Sequence, residues 1–177
     1  MTAGARVDTP LPLRWDGTAL HLLDQTRLPG EEVAITLSGA DDTAAAIKRL
    51  AVRGAPLIGV AAAYGLAMEV ARTPTMTALE RGAAVLAGAR PTARNLGWAV
   101  ERVVAAALAQ PDDLAGAARV EAEAIQREDE AASAALARHG ADALEEVLPP
   151  GPVTLMTHCN TGALAASGRG TALAVIA

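Results

Sequence analysis

The first part of the chain alternates. Through "LPLRWDGTALHLLDQTRLPGEEVAITL" apolar and polar residues exchange at short intervals, interrupted at Asp16-Gly17, a dipeptide suited to a tight hairpin. This pattern predicts a small antiparallel sheet with strands at Leu11–Trp15, Ala19–Asp24 and Glu32–Leu37. Three short strands bury little, so the main core must lie further along.

From Asp41 the period lengthens to that of helices. "DDTAAAIKRLAV" (41–52) predicts a first helix, capped by Asp42 or Thr43, with Ala46, Ile47 and Leu50 on one face. "RGAP" breaks it. "PLIGVAAAYGLAMEVART" then predicts a mostly buried helix whose first turn accepts Pro56. A third helix is expected over Met76–Ala89, and a fourth from Pro91 or Thr92 with Leu96, Val100, Val103 and Ala107 facing inward. The longest is expected over 112–140, capped by an Asp and stopped at Gly140, with a stripe of Leu114, Ala118, Ala122, Ile125, Ala132 and Leu136. Asp129 interrupts that stripe, which points to an acid paired or hydrogen-bonded within a helix interface.

"LPPGP" (148–152) is the clearest boundary. After it "VTLMT" (153–157) reads as a strand, and "TGALAASGRGTALAVIA" as a glycine-rich turn running into a helix, the opening of a βα unit. The fold class is therefore α+β leading into α/β. Residues 1–150 form one domain, with a small sheet at about 11–37 and a helical subdomain at about 41–147, and residues 151–177 begin a second.

Composition sharpens this picture. Apolar residues make up 51% of the chain but aromatics only 2%, with no Phe, so the core must come from closely approaching, alanine-rich helices. The net charge is −5 and no basic cluster interleaves with aromatics, which argues against nucleic acid or an anionic membrane as partner. A local anion site stays open. One cysteine cannot form an internal disulfide, no signal pattern opens the chain, and the longest uncharged stretch (54–68) is too short to span a bilayer. The expectation is a soluble cytoplasmic protein, disordered over "MTAGARVDTP".

Three short stretches can carry chemistry. In "VRGAP" (52–56), Arg53 precedes Gly54-Ala55 at a helix start, where a guanidinium, free N–H groups and the helix dipole together favour a phosphate. The alternative is a plain helix break with a surface Arg. In "ARPTARNL" (89–96), Arg90 stands before another helix start and could face the same anion, or simply sit in a loop. In "THCNTGALA" (157–165), Cys159 lies where a strand passes into a helix, a place where a dipole lowers a thiol pKa, with Asn160 and Thr161 available to cap or to bind. A small buried hydrophobe is the competing explanation for it. His158 and Cys159 are sequence neighbours and so point apart on a strand, which disfavours a Cys–His pair. No metal-ligand spacing and no glycine-rich nucleotide motif occurs.

In this order, "LRWDGTALHLLDQTRLP", "AVRGAPLIGVAAAYGLA", "RPTARNLGWAVERV" and "LMTHCNTGALAASGRGTALAVI" resemble successive motifs of the methylthioribose-1-phosphate isomerases, relatives of the alpha, beta and delta subunits of initiation factor 2B. The resemblance runs from Leu13 onward and is most specific where "RGAP" and "THCNTGALA" occur together. It implies aldose–ketose isomerisation of 5-methylthioribose 1-phosphate to 5-methylthioribulose 1-phosphate in methionine salvage, with hydrogen moving from C2 to C1. It implies a catalytic role for Cys159 and substrate contacts from Arg53, Gly54, Ala55 and Arg90. No cofactor and no metal is implied, and a homodimer is.

The resemblance also implies a longer protein whose second, Rossmann-like domain supplies an Asp as proton donor, so that this chain alone is expected to be inactive. Arg49 and Leu50 stand where the family pattern has an Asp-Met-like pair, and Arg94 replaces a small apolar residue. The alternatives are an isomerase of ribose 1,5-bisphosphate and a regulatory subunit without catalysis. An intact "HCNTG" speaks against the second.

Overall fold

The computed structural model describes residues 11–176, so the expectation for "MTAGARVDTP" lies outside the described residues. Three strands, β1 (Leu13–Trp15), β2 (Leu20–Leu23) and β3 (Ala34–Leu37), pair antiparallel in the order β1-β2-β3. Leu13 stands opposite Leu22 and Leu20 opposite Leu37, so the leucines of one face bury together. The turn between β1 and β2 is built on Asp16, whose Oδ1 accepts from the N–H groups of Thr18 and Ala19 at 2.9 and 2.8 Å. All three strands are shorter than the alternation suggests: Leu11 and Pro12 lie outside β1, Ala19 and Asp24 outside β2, and Glu32 and Val33 outside β3.

The helices are α1 (Ala40–Lys48), α2 (Ala55–Arg72), α3 (Met76–Ala87), α4 (Arg94–Leu108), α5 (Leu114–Val147) and α6 (Ala172–Ile176). The centre of the molecule is α2, buried continuously from Leu57 to Val70 and packed against α1, α3, α4 and α5. Small side chains make this possible. A methyl group on Gly65 would lie 2.7 Å from Oγ1 of Thr43, so α1 and α2 approach as closely as a glycine allows. Trp15 of β1 stacks on Tyr64 of α2 with ring centroids 4.8 Å apart, and this pair fastens the sheet to the helical layer.

Four expectations change. Helix α1 begins at Ala40, before Asp42 or Thr43, because Asp42 turns back to accept from the Ser38 amide and hydroxyl. It ends in a Schellman turn: the Ala51 N–H donates to the Ala46 carbonyl and the Leu50 N–H to Ile47, with Leu50 at φ 64°. Helix α4 begins at Arg94 rather than at Pro91 or Thr92. Helix α5 does not stop at Gly140 but runs on to Val147, with Gly140 packed against Val175 of α6. Its inward stripe also departs from Ala132 and Leu136, which are exposed, to Ser133 and Ala137, which are buried. Beyond Ile125 the helix therefore packs at steps of four (129, 133, 137), and it faces the C-terminal segment there rather than the core.

Residues 153–157 do not form the expected strand. A strand persists only when its backbone groups find a neighbouring ladder, and none lies beside this segment among the described residues. Val153 and Met156 are exposed. The small antiparallel sheet followed by a helical layer is as expected.

Candidate active site

The start of α2 is where distant parts of the chain meet. Gly54 stands at its N-cap with φ 93°, a conformation that side chains rarely adopt. A methyl group there would also fall 2.5 Å from the Cα and carbonyl oxygen of Ala165. Glycine is thus required twice at one position. The "RGA" turn and the "THCNTGALA" segment, more than a hundred residues apart, are in backbone contact.

Gln25 reinforces this junction. Its backbone N–H donates to the Ala51 carbonyl at 2.9 Å, and its side-chain amide donates to the Leu164 carbonyl at 2.7 Å. Next to it, Asp24 is buried and ion-paired with Arg49 at 2.7 Å. Burial pushes its carboxyl up, but hydrogen bonds from Thr26 and Arg49 outweigh this and hold it below the usual range. Arg49 thereby ties the end of α1 to the end of β2.

Helix α4 approaches from the other side. A methyl group on Gly59 would lie 2.9 Å from the Asn95 carbonyl oxygen, so the "RPTARN" segment touches the second turn of α2. Between these helices and α5 lies a cavity of about 190 Å³, lined by Pro56, Val60, Asn95, Trp98, Ile125 and Asp129 among others.

Arg53, Ala55, Arg90 and Cys159 are exposed, and Gly54 is partly covered. Among the described residues, no carboxylate pairs with either Arg53 or Arg90, and no hydrogen bond joins their side chains to Cys159. The structure brings Gly54 to Ala165 and the "RPTARN" segment to α2. No hydrogen bond or ion pair joins the side chains of the three candidates Arg53, Arg90 and Cys159 among the described residues. Cys159 is exposed and has φ 72°, so neither the buried-hydrophobe reading nor the placement at a strand end describes it. No cluster of three metal-binding side chains occurs, and no helix is long and apolar enough to cross a membrane, among the described residues.

The loop after Cys159 is closed on itself and gripped by α5. Gly162 and Gly170 form an isolated bridge, and the Thr171 N–H donates to the Thr161 carbonyl at 2.8 Å. Asp129 accepts from the Ser167 N–H at 2.7 Å, and the buried Ser133 hydroxyl donates to the Gly170 carbonyl. Asp129 is thus hydrogen-bonded, as the break in the stripe suggested, but to the backbone of a loop rather than within an interface between helices. Gln25 and Ser133 were not signalled by sequence. The first reaches across 139 residues, and the second was hidden by a stripe drawn through Ala132.

Comparison with known proteins gives this junction a family context. A model of the initiation factor 2 subunit family matches residues 51–177. The chain belongs to that family. It is 46% identical over 164 residues to a methylthioribose-1-phosphate isomerase of Methylorubrum extorquens, covering 91% of this chain and 45% of that protein. It is 50% identical over 157 residues to one of Anaeromyxobacter sp. (strain K), covering 89% and 44%.

Among solved structures it superimposes on 5-methylthioribose 1-phosphate isomerase from Pyrococcus horikoshii with a TM-score of 0.81 and 34% identity, covering 96% of this chain and 49% of that one. The delta subunit of eIF-2B from A. fulgidus gives the same TM-score at 37% identity, covering 95% and 50%. The chain thus spans about half the length of the relatives it matches.

Proposed function

We propose that this chain contributes the first half of the active site of an isomerase converting 5-methylthioribose 1-phosphate to 5-methylthioribulose 1-phosphate. The observation that carries the proposal is the backbone contact of Gly54 with Ala165, which sets the two chemically distinctive segments beside one another at a helix N-terminus. The names and identities of the relatives support the reaction.

In this reading Arg53, the N–H groups at Gly54 and Ala55, and Arg90 hold the phosphate. Charged and N–H donors suit a dianion, and the exposed guanidiniums carry no competing carboxylate among the described residues. Cys159 takes part in moving hydrogen from C2 to C1 once the ring has opened. Because relatives are about twice as long, residues 151–177 are taken as the start of a Rossmann-like domain that would supply the acidic proton donor. A cytoplasmic homodimer belongs to the same proposal.

The test compares ketose formation by this chain with that of the chain extended through the remaining length of its relatives. The extended protein is expected to turn over 5-methylthioribose 1-phosphate and the shorter chain to show little or no turnover. Robust turnover by the short chain would refute the division of the site, and none by the extended protein would refute the reaction. The match to an eIF-2B subunit favours a second reading, a regulatory subunit without catalysis. Normal turnover by an extended Cys159→Ala variant would remove the thiol from the chemistry, and ribose 1,5-bisphosphate as the better substrate would change the sugar.

A further inference from the structure

We propose that Asp129 and Ser133 are positioning residues that set the conformation of the Cys159 loop. This inference rests on assigning Cys159 and the "RGA" turn to one site, but its test does not use the substrate.

Both residues lie on the inward face of α5, one turn apart, and both hold backbone groups of the loop. Asp129 accepts a hydrogen bond from the Ser167 N–H, and the Ser133 hydroxyl donates one to the Gly170 carbonyl. Bonds to backbone groups fix the path of a loop whatever its side chains are. Gly170, at φ 101°, packs so tightly on Thr161 and Gly162 that a methyl group there would lie 2.5 Å from the Thr161 carbonyl oxygen. Holding residues 167–170 therefore also holds residues 161 and 162, two and three positions after Cys159.

Cys159 itself has φ 72° without being glycine. Such a conformation is strained for a residue other than glycine and persists only where its surroundings impose it. Asp129 has no ion-pair partner among the described residues, so its contact with the loop is the one interaction that accounts for a carboxylate at this place on α5.

Cys159 is the only cysteine, so its reaction with iodoacetamide reports on this loop alone. The alkylation rate is measured against pH for the chain and for a free peptide of residues 155–164. The chain's rate at neutral pH is expected to differ from the peptide's by about threefold or more. In Asp129→Ala and Ser133→Ala the profile moves towards that of the peptide, whereas Asp129→Asn, which keeps an acceptor oxygen, retains the parent profile. A folded Asp129→Ala with the parent profile overturns the proposal, as does a parent profile that matches the peptide. Should Asp129→Ala fail to fold, Ser133→Ala decides on the same criterion. Failure of the isomerase reading would leave these rates unchanged, so the two can fail separately.

Discussion

Gly54 and Ala165 touch through their backbones: a single methyl group on Gly54 would lie 2.5 Å from the Ala165 Cα. The contact joins the start of the central helix to the loop that follows Cys159. It depends on glycine both for φ 93° and for space. Gly54→Ala should therefore cost about 2 kcal/mol or more, from backbone strain together with overpacking. Urea unfolding measures the loss. Amide resonances of residues 161–170 should shift while those of α3 stay in place.

Tyr64 offers a pH-dependent prediction. Burial pushes its phenol up to about 12, helped by the nearby carboxylates of Glu123 and Glu130 and opposed by Arg127. The neutral form is thus favoured in the folded state. Stability is fully present below the unfolded value near 10 and is lost as pH rises towards 12, by about 2–3 kcal/mol in total. Tyr64 is the only tyrosine, so phenolate absorbance follows it directly. Ionisation near 10 in the folded protein would contradict the buried ring.

Leu50 occupies the left-handed position of the Schellman turn and is 42% exposed. Leu50→Gly removes the left-handed strain, but it gives up the covered part of the leucine and raises the entropy of the unfolded chain, so the opposing effects should leave stability within about 1 kcal/mol of the parent. A thermal melt checks this.

Ser167 gives its backbone N–H to Asp129, but its buried hydroxyl has no hydrogen-bond partner among the described residues. Ser167→Ala keeps the first and discards the second. An unchanged or higher unfolding midpoint is expected, with a gain of up to about 1 kcal/mol. A clear loss would show that the hydroxyl is satisfied in solution.

Where the sequence pattern was regular, it located the elements. Alternation across Leu13, Leu20 and Leu22 gave the sheet, and the unbroken apolar run from Leu57 gave α2. Gly140 misled because a glycine inside a helix is a matter of packing as much as of propensity, and Val175 fills the space beside it. "VTLMT" has the composition of a strand, but a ladder needs a neighbour that composition cannot supply. At the site, residue type and spacing left Arg53 and Gly54 open to a plain helix break and Cys159 to a small buried hydrophobe, and the family resemblance is what singled them out as candidates. The contact between Gly54 and Ala165 was not legible, since no local pattern records a pairing across so long a stretch of chain.

The most direct measurement is an amide chemical-shift titration of the chain with 5-methylthioribose 1-phosphate. The account predicts that Gly54 and Ala55 move together with Cys159–Gly162, along one binding curve that Arg53→Ala and Arg90→Ala each weaken. Shifts confined to one of the two segments, or none in either, would contradict a shared sugar-phosphate site.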